Sequence, residues 1–359
     1  MIERLQGWME EAEVEVACLT NPSSIAYLTG FRSNPFERLM ALVVSSDRAA
    51  LLLPAIEEES ARAQAPEIEL KGWSDGDDPW EELARLTGHR LTGLAVEKDH
   101  LTLSGYEKLS SQVQFGRVSD ISAPLRQWRA IKTPSELEKL SKAAQITDQL
   151  FDQLLAILQP GITELEVGIY LSELTAKFGT KPSFPTLVQF GPHSAEPHGV
   201  TSNQKLIPGQ LILLDFGAAY QGYCADTTRM VVLGESDPKQ REIHQIVLEA
   251  HDRAIEVVRP GVRAGEVDAA ARSVITAAGY GEFFIHRVGH GLGLEPHEAP
   301  SLAPGSEVIL EAGMVITIEP GIYLPGWGGV RIEDDLVVVE GGARKLTQSS
   351  CELKVIPLN

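Results

Sequence analysis

Cysteine is scarce in this chain. It holds three, Cys18, Cys224 and Cys351, and no two stand at CxxC spacing, which argues against a disulfide framework. Positive charge is short as well: 31 Lys and Arg stand against 50 Asp and Glu, a net charge of −19 at pH 7. Such a surface repels nucleic acid and anionic membranes, so neither is expected as a partner. No apolar run is long enough to span a bilayer, and the opening residues MIERLQGWMEEAEVEV are too charged for a signal peptide. A soluble, cytoplasmic protein is expected. What the chain does have is 43% hydrophobic against 23% charged residues, enough for a sizeable core and too much for disorder. Its 359 residues suggest two domains.

Residues 1–125 alternate short β-rich runs with amphipathic segments. Strands are predicted at VEVACL, MALVVSS, AALLLP, EIELKGW and TGLAVE, and helices over 2–11, 55–65, 79–87 and 104–112. This is the pattern of an α/β layer domain. His89 and His100 have no acids at ligand spacing and read as surface histidines. NPSSIAYLTGF predicts a short helix stopped by Gly30, followed by a polar loop to Leu39. The boundary falls within SAPLRQWRAIKTPSE, leaving 126–359 as the second domain.

That second domain opens with Thr133, Pro134 and Glu136, an N-cap, a first-turn proline and a capping-box acid. Leu137, Leu140, Ala144, Phe151, Leu154 and Leu158 then line one face of a long helix, and Thr163 with Glu166 caps another that ends at Gly179. The arrangement recurs. LQPGITELEV (158–167) matches VRPGVRAGEV (258–267) at an offset of 100, and GQLILLDFG (209–217) matches GMVITIEPG (313–321) at an offset of 104. Two registers in the same order predict a duplicated helix–helix–hairpin unit, an α+β domain with internal pseudo-twofold symmetry. On the predicted helix 237–258, His244 and His251 read as exposed polar positions.

Each copy ends in a hairpin that carries acids. In LILLDFGAAYQGYCADTTR, a turn at Tyr220-Gln221 sets Asp215 directly opposite Asp226. Opposed strand residues share a face with Cβ atoms roughly 5 Å apart. In MVITIEPGIYLPGWGGVRIEDDLVVV, a turn centred on Gly326 sets Glu319 opposite Glu333. The second copy aligns Glu319 with Asp215. Between the hairpins, FFIHRVGHGLGLEPHEAP carries His286, His290 and His297, with too many glycines for a helix. His198 precedes the first hairpin, in AEPHGVTSNQ.

Four inward carboxylates repel one another unless cations lie between them. Two divalent ions balance the four charges. Oxygen-rich ligation with an imidazole and no thiolate suits manganese, cobalt, iron or zinc. Calcium is disfavoured by the histidines and by the lack of EF-hand spacing. Cys224 alternates onto the face of Asp226 but reads as a small core residue.

The motifs LDFGAAYQGYCADTTR, HRVGHGLGLEPHE, ITIEPGIY and GGVRIED, with PHG upstream, resemble those of the pita-bread metallopeptidases. The similarity is to their Xaa-Pro dipeptidase (prolidase) and aminopeptidase P branch, and residues 1–125 resemble that family's N-terminal domain. The resemblance implies a pita-bread catalytic domain over 126–359 holding two divalent ions per chain, with Mn²⁺ expected and Zn²⁺ or Co²⁺ as alternatives. It implies Asp215, Asp226, His290, Glu319 and Glu333 as ligands, Asp226 and Glu333 bridging. His198 and His297 are implied as the histidines that contact substrate and stabilise the tetrahedral intermediate. His286 is implied as a further histidine near the substrate, and Arg331 as the arginine that orients a ligand carboxylate. A homodimer is also implied.

The implied substrate is a small peptide with proline after the scissile bond, most simply an Xaa-Pro dipeptide. The alternatives are an Xaa-Pro aminopeptidase acting on longer peptides and a non-catalytic pita-bread binding protein. A dipeptidase must recognise a free carboxylate beyond the proline, which calls for a cation. Longer prolidases carry an arginine in an insertion after the second histidine, yet EAPSLAPGSEVILEAG (298–313) holds none. Arg32 and Arg38, in the 31–39 loop, are the expected source, acting across a dimer.

Overall fold

The computed structural model describes residues 1–358. It divides into two compact units, Met1–Trp128 and Arg129–Asn359. The first is a six-stranded sheet built from β1 (Val16–Leu19), β2 (Ala41–Val44), β3 (Ala49–Pro54), β4 (Glu69–Trp73), β5 (Arg90–Val96) and β6 (Gln114–Asp120), in the order β4-β3-β2-β1-β5-β6. Strand residues alternate between two cores. Ala17, Leu19, Leu42 and Leu51 join Leu5 and Met9 of α1 (Ile2–Glu11) and Ile25 and Leu28 of α2 (Pro22–Thr29). Val16, Cys18, Val43 and Leu52 join Leu83 of α4 (Pro79–Thr87) and Leu109 of α5 (Leu103–Gln112), with α3 (Glu58–Gln64) between β3 and β4. Gly30 closes α2 at φ +83°, the left-handed cap its sequence predicts.

Two elements here escape sequence reading. β6 is an edge strand, largely exposed, so QFGRVSD shows no apolar alternation. Helix α6 (Ser122–Ala130) forms where a boundary loop is expected. Its Pro124 sits in the first turn, where the missing N–H takes no bond away from the helix. Among the described residues, no helix is long and apolar enough to cross a membrane.

The second unit begins with α7 (Pro134–Leu154) and α8 (Glu164–Lys177), both with complete capping boxes. Then come β7 (Lys181–Pro182), β8 (Leu187–Phe190), β9 (Leu211–Phe216), β10 (Ala218–Tyr220), β11 (Tyr223–Cys224) and β12 (Thr227–Leu233). Helices α9 (Pro238–Val257) and α10 (Ala264–Ala277) lead to the second set: β13 (His290–Gly291), β14 (Glu298–Ser301), β15 (Val315–Ile318), β16 (Gly321–Leu324), β17 (Gly328–Arg331) and β18 (Asp334–Val339). β19 (Gly342–Lys345) and β20 (Lys354–Ile356) finish the chain. The sheets run β20-β12-β9-β8 and β14-β13-β15-β18-β19, with smaller ones β11-β10-β7 and β16-β17. Leu211, Leu213, Met230 and Val232 pack on Ile243 and Val247 of α9. Ile212, Leu214, Val231 and Leu233 pack on Leu150 and Leu154 of α7 and Leu171 of α8. Because both faces of this sheet are covered, LILL and MVVL are continuous apolar runs.

The second hairpin has the predicted register: Gly321 faces Arg331 and Ile318 faces Asp334, bracketing Glu319 and Glu333. The first does not. Its turn is Gln221-Gly222, both at positive φ (+46° and +78°), so Ala219 faces Cys224 and Asp215 faces Thr228 rather than Asp226. A two-residue turn with both central residues left-handed favours glycine in the loop, and this moves the register two residues from the one expected. Asp226 lies two positions from Thr228, so it stays on the face of Asp215 as a diagonal neighbour.

His244 and His251 are buried, contrary to expectation, at 3% and 0% exposure. They continue the buried stripe of α9 that includes Gln240, Val247 and Ala254. Burial pushes the His244 imidazole down to about 4. His251 Nε2 lies 3.1 Å from Asp334 Oδ2. Asp334 also takes Arg229 Nη2 at 2.6 Å and pairs with Lys345. Burial alone would raise the Asp334 carboxyl, but these cations hold it well below the usual carboxylate range. Arg229, 1% exposed, donates besides to the backbone carbonyls of Thr228, Glu333 and Ser349. Arg229→Ala removes one side of this buried pair and is expected to cost about 3–5 kcal/mol of stability. Denaturant unfolding followed by circular dichroism measures it, and a change below about 1 kcal/mol contradicts this account.

Candidate metal centre

Five ligand candidates come from strand ends. Asp215 lies near the end of β9, Asp226 just before β12, His290 in β13, Glu319 just after β15 and Glu333 just before β18. All five line one cavity of about 900 Å³, together with His198, His286, His297 and Arg331. Ligand atoms of Asp226, His290 and Glu333 lie within 4.8 Å of one another, and His290 Nε2 lies 3.2 Å from Glu319 Oε1.

The electrostatics are those of an anionic pocket. Burial raises the Asp226 carboxyl well above its ordinary value, and Glu333 and Asp215 raise it further. Glu333 is pushed up by burial and then by Glu319 and Asp215. Asp215 is raised by burial despite its arginine. Glu319 goes the other way: burial opposes ionisation, but the hydrogen bond and charge of His290 bring it down to about 2. Asp215 Oδ2 takes the Arg331 guanidinium, while Oδ1 is buried without a hydrogen-bond partner. The His290 Nδ1–H points to the Gly291 carbonyl at 3.0 Å, which turns Nε2 toward the carboxylates. An orphaned carboxylate oxygen, an imidazole nitrogen turned toward the acids and repelling carboxylates fit divalent cations held by oxygen and nitrogen.

Arg331 and Thr228 tie the acids together. Besides Asp215, Arg331 donates from Nε to Thr228 Oγ1 and from Nη1 to Tyr323 Oη, each at 2.9 Å. Thr228 Oγ1 donates to Glu333 Oε2 at 2.7 Å, and the Glu333 N–H donates to the Thr228 carbonyl at 3.2 Å. Behind Asp226, the Asp335 carboxylate accepts its backbone N–H at 3.0 Å.

The histidines differ in what they can do. His286 has both nitrogens engaged: Nδ1 with the Arg287 carbonyl at 2.7 Å and Nε2 with Tyr323 Oη at 2.8 Å. A carbonyl only accepts, so Nδ1 carries the proton and Nε2 accepts from the tyrosine. Burial lowers the His286 imidazole, which keeps it neutral. His297 and His198 are exposed to the cavity. The His297 ring stacks edge-on to His290 with centroids 4.2 Å apart. Burial, then His290 and Arg287, lower its pKa. Next to His297 in the chain, the Glu298 carboxylate is clamped by Arg129 at 2.6 Å and Lys132 at 3.3 Å.

Arg32 and Arg38 belong to the first unit, where Asp75 engages Arg38 through two contacts of 3.0 and 3.1 Å. The cavity has its own arginine, which sequence reasoning passed over. Arg287 lines it, half-buried, with Nη1 3.1 Å from Ser301 Oγ and no carboxylate partner among the described residues. Its signal lay in HRVGHG, beside a histidine already singled out. Thr228 and Tyr323 were missed too, because a neutral hydroxyl shows its value only once its partners are placed.

Residues 1–131 match the Creatinase/Prolidase N-terminal domain and residues 138–340 match Metallopeptidase family M24. The chain is 41% identical to an Xaa-Pro dipeptidase of Lactobacillus delbrueckii subsp. lactis, covering 99% of both. An Xaa-Pro dipeptidase from Bacillus anthracis superposes with a TM-score of 0.91 at 38% identity, over 99% of each chain. An X-Pro aminopeptidase from Thermotoga maritima MSB8 gives 0.87 at 32%, again over 99% of each. With acids, histidine and arginine gathered at one cavity and both domains matched along their length, the chain belongs to metallopeptidase family M24.

Proposed function

We propose that this protein is a dinuclear-metal peptidase that hydrolyses the Xaa-Pro bond, preferentially in Xaa-Pro dipeptides. The observation that carries the reading is the set of four carboxylates and one imidazole at a single cavity. Asp215, Asp226, His290, Glu319 and Glu333 would hold the ions, with Asp226 and Glu333 shared and Mn²⁺ favoured over Zn²⁺ or Co²⁺. Bound there, the ions supply Lewis-acid polarisation and a water acidified toward neutrality. A non-catalytic binding role does not suit a chain that keeps every acid of the set.

The protein's own groups supply orientation and protons. His198 and His297 donate to the oxygen that gains charge and help protonate the departing imide nitrogen. That nitrogen has no hydrogen in an Xaa-Pro bond, so the site must not depend on a backbone donor there. With its nitrogens committed to Tyr323 and the Arg287 carbonyl, His286 orients the tyrosine that supports Arg331. Arg287 is suited to the free carboxylate of a dipeptide, and Ser301 fixes its guanidinium. Arg32 and Arg38 stay as the alternative anchor if a homodimer brings them to a neighbouring cavity. The homodimer expected from the family resemblance and the cytoplasmic setting expected from the sequence are checked by light scattering and fractionation. One observation favours the aminopeptidase reading: residues 298–313 carry no arginine.

Elemental analysis of active protein is expected to find two metals per chain, and chelation to abolish turnover. Because Asp226 and Glu333 are held protonated above the usual carboxylate range, ions must displace protons. Affinity should therefore rise with pH and fall as the solution is acidified. Proton release on Mn²⁺ addition, read in weak buffer, tests the sign; activity without metal defeats the reading.

Glu333→Ala is expected to abolish turnover. Arg331→Ala, which touches Asp215 and Thr228, should cost roughly 10–100-fold in metal affinity or activity. Metal titration and steady-state rates separate the two effects.

Arg287→Ala is expected to raise KM for Xaa-Pro by roughly 10–100-fold, the loss of one charge-assisted contact of about 1.5–3 kcal/mol, with metal content unchanged. Arg32→Ala and Arg38→Ala are compared alongside; an effect confined to them moves the anchor to the 31–39 loop. Faster cleavage of Xaa-Pro-Yaa than of Xaa-Pro makes the protein an aminopeptidase P.

A further inference from the structure

Glu164 is a fully buried carboxylate at the first position of α8, and it does not line the cavity. Its donors come from two places in the chain. Oε1 accepts from the Phe190 N–H at 2.8 Å, and His193 Nδ1 lies 2.8 Å from the same oxygen. Oε2 accepts from the Ser202 N–H at 2.9 Å and from Ser202 Oγ at 2.6 Å. Phe190 and Ser202 are the two ends of a strap whose tip, Pro197–Val200, lines the cavity and carries His198. One carboxylate thus closes the strap at both ends.

The stem of the strap is fixed by side chains, while its exposed tip is held mainly by the Gly199 N–H on the Glu196 carbonyl at 2.9 Å. Thr201 Oγ1 donates to the Thr186 carbonyl and accepts from the Val188 N–H, both at 3.0 Å. Ser194 Oγ accepts from the Gly329 N–H at 2.7 Å, which ties the strap to β17 and so to the strand of Arg331. At the tip His198 is exposed and Val200 is 79% exposed. A buried carboxylate is tolerated when donors saturate it, and a helix N-terminus favours its charge. It is therefore a stiff point from which to hold a loop whose tip reaches out over the cavity.

We propose that Glu164 is a positioning residue for His198, fixing the height of the strap over the cavity. The inference rests on reading His198 as a substrate contact. Substituting Glu164 by Gln sets an amide N–H₂ against groups that are themselves donors, so one end of the strap loses its acceptor.

The test uses the full-length, metal-loaded protein as Glu164→Gln, His198→Ala and the double variant, with His193→Ala as a milder change at the same anchor. Glu164→Gln is expected to lower kcat/KM for Xaa-Pro by roughly 10–100-fold, the scale of misplacing a reacting group by about 1 Å. Metal content should stay at two per chain, and thermolysin should cut before Val200 faster than in the parent. In the His198→Ala background the same change should cost less than about twofold, because coupled residues do not add. A full multiplicative loss there, or an unchanged rate in Glu164→Gln when His198→Ala is slow, overturns the proposal and leaves the role of His198 standing. An unchanged rate in His198→Ala removes that role and the proposal with it. If Glu164→Gln fails to fold, His193→Ala carries the same comparison, with a smaller loss in the same direction.

Discussion

The contact on which the cavity depends joins the Thr228 hydroxyl of one strand to Glu333 at the start of another, rather than an acid to its ion. Thr228 receives the Glu333 N–H on its carbonyl, donates its hydroxyl to the Glu333 carboxylate and accepts from Arg331. It lies at the isolated bridge where the first hairpin meets the second. That bridge joins two acid pairs that otherwise belong to separate sheets, and Asp335 and Arg229 reinforce it from behind. Arg331 extends the bridge to Asp215 and Tyr323, so four elements are fixed by one guanidinium and one hydroxyl. The planar fork of arginine suits this, since each nitrogen meets a different partner without bending the others.

Neighbouring acids in this region have opposite electrostatic lives. Glu333 faces the cavity among carboxylates and resists ionisation, whereas Asp334 faces Arg229, His251 and Lys345 and is ionised throughout the ordinary range. Both are buried to 2% exposure or less, so burial does not distinguish them; the sign of the surrounding charge does. The back cluster explains how a protein tolerates so acidic a cavity. Arg229 ties the backbone of both acid-bearing strands to a neutralised core.

Sequence reasoning reached the acids, the duplication and the second hairpin because each depends on local pattern. A turn centred on Gly326 leaves little choice of register. The first hairpin misled because its register depends on which residues take positive φ, and Gln221 gives no sign of doing so. His244 and His251 looked exposed because charged residues surround them in α9; only the opposed strand, with Asp334, gives His251 a buried partner. Arg287 was hidden differently. Its position was plain, but a cation becomes a candidate anchor only when it is seen to face a cavity with no carboxylate taking it up.

The alternation of front and back along β12 and β18 also acts as a register lock. Glu333 lines the cavity and Thr228 backs it, while Arg229 and Asp334, one step along each strand, face the core. A slip of one residue turns every side chain of a strand over. Here it would carry a guanidinium into the cavity or set Glu333 against the core cluster, breaking two charge patterns at once. Misregistered chains are therefore penalised before any metal is present. The register that gathers the acids is thus written in the charges of the residues beside them.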